Sequence, residues 1–72
     1  MNVSKFLMSA EFIDADVVIV DRNDEVVFDC PDGFSVNDDD CPIPDKTILK
    51  ANIDFWMLES NNGKSVLKIF LW

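Results

Sequence analysis

The stretch Asp16-Val17-Val18-Ile19-Val20-Asp21 is apolar on both sides of one short strand. Successive strand residues point to opposite faces, so Val17 and Ile19 serve one face while Val18 and Val20 serve the other. A strand of this kind is central in its sheet, or a partner covers its second face. The rest of the chain must therefore supply strand neighbours for it.

Two hairpins supply them. Glu25 to Cys30 carries Val26 and Phe28 on one side and Val27 and Asp29 on the other, and Asn23-Asp24 separates it from the first strand. That spacing predicts a short-loop hairpin. Ala51 to Glu59 and Lys64 to Trp72 read as a second hairpin joined through Ser60-Asn61-Asn62-Gly63, where Asn62-Gly63 suits the left-handed turn positions. Strict alternation puts Ile53, Phe55 and Met57 on one face and Asn52, Asp54, Trp56 and Leu58 on the other. In the last strand Leu67, Ile69 and Leu71 oppose Val66, Lys68, Phe70 and Trp72. Trp56, Phe70 and Trp72 are then expected to gather on the face away from the core, and a cluster of exposed aromatics marks an interface.

Val3, Phe6, Leu7 and Ala10 recur at helical spacing behind Asn2, a good N-cap. Two or three turns do not persist alone in water, so this helix must dock on the sheet. Pro31 to Asp45 holds all three prolines, Gly33 and the run Asp38-Asp39-Asp40, which marks a loop pinned by Phe34 and Val36. Pro44 suits the first turn of a helix ending near Lys50, with Ile48 and Leu49 facing inward. The expected fold is α+β: a single domain over residues 1–72 with a four-stranded antiparallel sheet from two hairpins. A short N-terminal helix and a helical turn before the second hairpin complete it. Two short helices cannot cover both sheet faces, so a homodimer or higher oligomer is expected, with Trp56, Phe70 and Trp72 in its interface.

Charge is the second constraint. Twelve of the 14 acids lie between Glu11 and Asp45, where Arg22 is the only base, and the remainder carries two acids and five lysines. Direct nucleic-acid binding needs clustered Lys and Arg, which this chain lacks. A basic protein partner is the expectation instead, met by Asp14, Asp16, Asp21, Asp24, Glu25, Asp29, Asp32, Asp38, Asp39 and Asp40. Carboxylates spaced along hairpins and loops can imitate nucleic-acid phosphates and offer charge-assisted contacts to Arg and Lys. The same surface also serves plain acidic solubility.

Catalytic signals are weak. The chain has no His, no Tyr and no glycine-rich phosphate loop, and Asp21, Asp24 and Glu25 at a hairpin tip lack the pocket that separates paired pKa values. Counting a calcium loop from Asp38 puts Ile43 at the glycine position and Leu49 at the glutamate position, so the template fails. Two cysteines without histidine fall short of a zinc site. We expect no enzyme, no metal and no cofactor. Met1 to Ala10 lacks the apolar run of a signal peptide and no stretch is long enough to cross a bilayer. A cytoplasmic protein with Cys30 and Cys41 reduced is expected; oxidised, their loop of ten intervening residues could add about 3 kcal/mol.

With the helix Val-Ser-Lys-Phe-Leu, the hairpin Val-Val-Ile-Val-Asp-Arg-Asn-Asp-Glu-Val-Val-Phe, the segment Ile-Pro-Asp and the final hairpin in view, the chain resembles small proteins of phages and mobile elements of Gram-positive bacteria. Its layout is similar to that of a small Cas9-inhibiting anti-CRISPR with a sheet akin to the PC4 nucleic-acid-binding fold. The resemblance is one of architecture and size and transfers no site residue. It implies an oligomer in the host cytoplasm that counters host defence, with a CRISPR nuclease as the basic partner, and the chain departs from PC4-type binders in lacking basic character. The alternative is a structural or regulatory homo-oligomer acting through its apolar sheet face.

Overall fold

The computed structural model describes residues 1–72. Helix α1 (Val3–Met8) begins at Asn2, whose side chain accepts from the Lys5 N–H, and ends at Ser9, whose hydroxyl donates to the Phe6 carbonyl at 2.9 Å. Strands β1 (Asp16–Val20) and β2 (Val26–Cys30) form the first hairpin. Helix α2 (Lys46–Lys50) follows the long loop, and β3 (Ile53–Asn61) and β4 (Lys64–Leu71) form the second hairpin. Pro44 lies two residues before α2 rather than in its first turn, where it is buried, and Asp45 is the N-cap, accepting from the Ile48 N–H at 3.0 Å.

The α+β plan and its two hairpins are present, and the sheet is mixed rather than wholly antiparallel. Its order is β2-β1-β4-β3, with β1 parallel to β4. The direction follows from the connection. Because β1 and β4 run together, β2 and β3 also run together, so the chain leaving Cys30 must travel the sheet's length before β3 can start. Residues 31–52 make that crossing over one face and bring Phe34, Val36, Cys41, Ile48 and Leu49 onto the core.

That face holds the core. Val17, Ile19, Leu67 and Ile69 point into it from the two central strands, Val3 and Leu7 from α1, Cys30 from β2 and Phe34 from the crossing loop. Phe34 is fully buried, bridged through its backbone to Ile13 and set edge-on to Phe28 at 6.4 Å. The shortest dimension, 17 Å, fits one sheet and a single covering layer spaced at about 10 Å. No element covers the opposite face, which presents Val18, Val66, Lys68 and Phe70 on the central strands, while Val20, in register with Phe70, is buried there at 1 % exposure. The strand that is apolar on both faces is thus central between two neighbours, and on its second face Val20 is buried while Val18 stays partly exposed.

One irregularity redirects an expected face. Ile53 pairs with Leu71 but Phe55 pairs with Phe70, so Asp54 is an extra residue and every later side chain of β3 changes sides relative to Ile53. Phe55 stacks on Phe70 over the open face with ring centroids 4.3 Å apart, while Trp56 turns to the helix side and meets Phe6 at 5.7 Å.

Deleting the Phe34 ring removes the largest fully buried side chain. Phe34→Ala should lower unfolding free energy by roughly 3–5 kcal/mol, enough to leave so small a domain largely unfolded in a urea titration. Asp45→Ala, which removes only a cap, should cost about 1 kcal/mol.

Candidate interaction surfaces

The ten acids expected to meet a partner separate into two groups, with Asp29 between them. At one end of the first hairpin, Asp21 accepts from the N–H groups of Asn23 and Glu25 at 2.8 and 3.0 Å, and so holds the turn in which Asp24 takes a left-handed φ of 65°. Asp21, Asp24 and Arg22 border a shallow hollow of about 310 Å³ with Asp54, Phe55 and Trp72. Glu25 is exposed beside them.

The other end is denser. Asp16 accepts from the Asp32 N–H at 2.7 Å, and Asp32 pairs with the Lys64 ammonium at 3.2 Å. The hydrogen bond from Lys64 to Asp32, with the charges of Asp32 and Asp16 behind it, raises the lysine pKa. Asp14, Asp16, Asp32 and Lys64 share a hollow of about 320 Å³. Asp32 also borders a second hollow of about 240 Å³ with Asp38 and Asp40. Asp39 is exposed between those two, and Asp38 accepts from the Asp40 N–H at 2.9 Å in a local turn. This end gathers Asp14, Asp16 and Asp32 about Lys64, with Asp38, Asp39 and Asp40 on the far side of Asp32.

The strands separating the two ends are five residues long, or about 17 Å at the strand rise. A single flat footprint therefore does not contain all ten acids. Asp29 stands apart, exposed on β2 in register with Val18 on the open face. No three Asp, Glu or Cys side chains converge closely enough to hold one metal ion.

Of the three expected interface aromatics, Phe70 and Trp72 share the hollow beside Arg22, and Phe55 joins them. Trp56 does not. It lines an apolar groove of about 480 Å³ on the helix side with Met1, Phe6, Ala10, Ile13 and Leu58. Sequence reasoning missed both Phe55 and this groove because it carried strict alternation through Asp54. The available signal was Asp54 itself, an acid that alternation set on the same face as Trp56 and Leu58.

The cysteines are adjacent but distinct. Their sulfurs lie 3.8 Å apart and both are unbonded thiols; Cys30 donates to the Gly33 carbonyl at 3.2 Å, and Cys41 accepts from the Ser35 N–H at 3.4 Å. Burial, reinforced by Cys41 and the charges of Asp29 and Asp16, pushes the Cys30 thiol up to about 11. That removes it as a nucleophile at neutral pH, since the thiolate is the reactive form.

No protein-family model, curated protein or solved structure matches this chain. No helix is long and apolar enough to cross a membrane.

The raised thiol has a signed consequence. Between its ordinary value of 9.0 and about 11 the unfolded chain loses the Cys30 proton while the folded chain keeps it. Stability from this group is complete below pH 9 and declines as pH rises toward 11. Urea midpoints should fall over that window in wild type and fall less in Cys30→Ala. Iodoacetamide at pH 8 should label Cys41 alone until denaturant exposes Cys30.

Proposed function

We propose that this chain is a non-enzymatic interaction protein whose six-acid end occupies a basic, nucleic-acid-binding surface on a partner protein. The observation that carries the reading is the convergence of Asp14, Asp16, Asp32, Asp38 and Asp40 on two hollows joined at Asp32, with Lys64 their only basic neighbour. Partial pre-positioning supports it. Asp16 and Asp38 are held by backbone N–H groups, which reduces the side-chain entropy lost when an arginine binds. Most of these acids are exposed, so they meet a partner without a prior opening step. The resemblance to small phage-encoded inhibitors makes a CRISPR nuclease the first partner to test, with displacement of its nucleic acid as the mode of action.

A second reading, a regulatory homo-oligomer acting through its apolar surface, rests on the exposed side chains of Phe55, Trp56, Met57 and Leu58. It is compatible with the first, because these residues are on the opposite side of the sheet order from β2.

Affinity for the nuclease should fall about tenfold or more between 50 and 300 mM salt, as expected where charge steers association. Asp32→Asn with Asp39→Asn and Asp40→Asn should weaken binding by a similar factor, whereas Asp24→Asn with Glu25→Gln should change it little. Affinity indifferent to salt and to the first triple change would rule out the charge-mimic reading.

A further inference from the structure

The two edges of the sheet are protected very differently. An edge strand presents unpaired N–H and C=O groups, and folded proteins shield such edges with short length, bulges, charges or a covering segment. Edge strand β2 has these devices: it is five residues long, its pairing slips between Ile19 and Val20, and it carries Asp29. Edge strand β3 lacks them over most of its nine residues. Its sequence Ile-Asp-Phe-Trp-Met-Leu-Glu-Ser-Asn contains no Pro and no Lys, and every residue from Asp54 onward is exposed. Its one bulge is at Asp54, and only that first end is covered, where the Met1 carbonyl accepts from the Ile53 N–H at 2.9 Å.

The register determines which groups remain open. The two-residue turn at Asn62-Gly63, with φ of 54° and 81°, makes Asn61 and Lys64 a hydrogen-bonded pair. Alternation from that pair aims the N–H and C=O of Trp56, Leu58 and Ser60 away from β4. The side chains of Trp56 and Leu58 face the helix side, where they line the apolar groove beside α1.

We propose that β3 pairs antiparallel with β3 of a second copy about a two-fold axis at Met57, joining two sheets into one of eight strands. Continuity of the two faces requires outward-aimed residues to oppose one another. In this register Trp56 exchanges both backbone hydrogen bonds with Leu58 of the second copy, and Leu58 with its Trp56. Asp54 comes opposite Ser60 and Glu59 opposite Phe55, so no acid meets an acid. Centring the axis on Trp56 drives Glu59 against Ile53, whose N–H Met1 already occupies. Centring it on Leu58 sets Trp56 against Ser60 and loses the apolar match.

Charge selects a second copy over an unrelated acidic strand or a nucleic acid. Two chains of net charge -8 repel unless they meet where the acids are fewest. The β3–β4 hairpin and α1 contain Asp54 and Glu59 against Lys5, Lys64 and Lys68. The interface would thus unite the nearly balanced portions and carry the two acidic hairpins to the far ends. The Met1, Phe6, Ala10 and Ile13 walls of both grooves would then flank one continuous floor of Trp56 and Leu58.

Sedimentation equilibrium tests the proposal. Wild type at 100 µM should show twice the 8.2 kDa chain mass, with association unchanged or strengthened by added salt. Leu58→Lys, at a residue 65 % exposed, should return the single-chain mass with an unaltered circular dichroism spectrum. Val26→Lys, at a residue 61 % exposed on the far edge strand β2, should leave the dimer intact. Met57→Cys in a Cys41→Ser background should give a covalent dimer on mild oxidation, since residues opposite on a non-hydrogen-bonded site are within disulfide reach. A wild-type monomer at 100 µM overturns the proposal. So does a dimer that Val26→Lys dissociates and Leu58→Lys spares, or one that Met57→Cys never cross-links. Binding of an extended heterologous peptide to a monomeric wild type would equally replace the second copy as occupant.

Discussion

Pairing of β1 on both edges organises this molecule. Val17 and Ile19 need a core beneath them, and Val18 and Val20 give the strand an apolar second face, so β1 is stable only well inside a sheet. Taking β2 on one side and β4 on the other fulfils that need and makes β4 central as well. Leu67 and Ile69 then meet Val17 and Ile19 over the helix side, and α1 and Phe34 close the core. Every other feature follows from this arrangement, including the crossing of residues 31–52 and the demotion of β3 to an edge.

That arrangement also distributes charge. The acidic hairpin and loop occupy one side of the sheet order, while the lysine-bearing second hairpin occupies the other. Within the acidic side, backbone geometry divides the carboxylates again: Asp21 folds its own turn, whereas Asp16 and Asp32 draw the start of β1 to the end of β2 and to Lys64. The dense acidic end draws on β1, the loop after β2 and the start of β4, whereas the apolar edge belongs to β3 and α1, so the two surfaces use different residues.

Much of this was legible in the sequence because short-range chemistry dictates it. Asn62-Gly63 specified its turn, Asn2 its helix start, and the Val17 to Val20 run the central position of its strand. The parallel pairing of β1 and β4 was not legible, since a connection of 22 residues can return on either side and nothing local states its direction. The faces of β3 were misread through one residue: the bulge at Asp54 shifts the alternation and moves Trp56 away from Phe70. Of the candidate acids, the identities were readable from composition, but their division into two ends depends on strand length and on Asp32 folding back to Asp16.

Native-state hydrogen exchange measures the central claim residue by residue. If β1 and β4 are the paired centre and β3 an open edge, amides of Val17 to Val20 and Leu67 to Phe70 that bond across strands will exchange last, through global unfolding. In dilute protein the Trp56, Leu58 and Ser60 amides will exchange fast beside protected neighbours at Phe55, Met57 and Glu59, and they will slow as concentration rises. Early exchange throughout β1, or protection of all β3 amides at high dilution, would contradict this account.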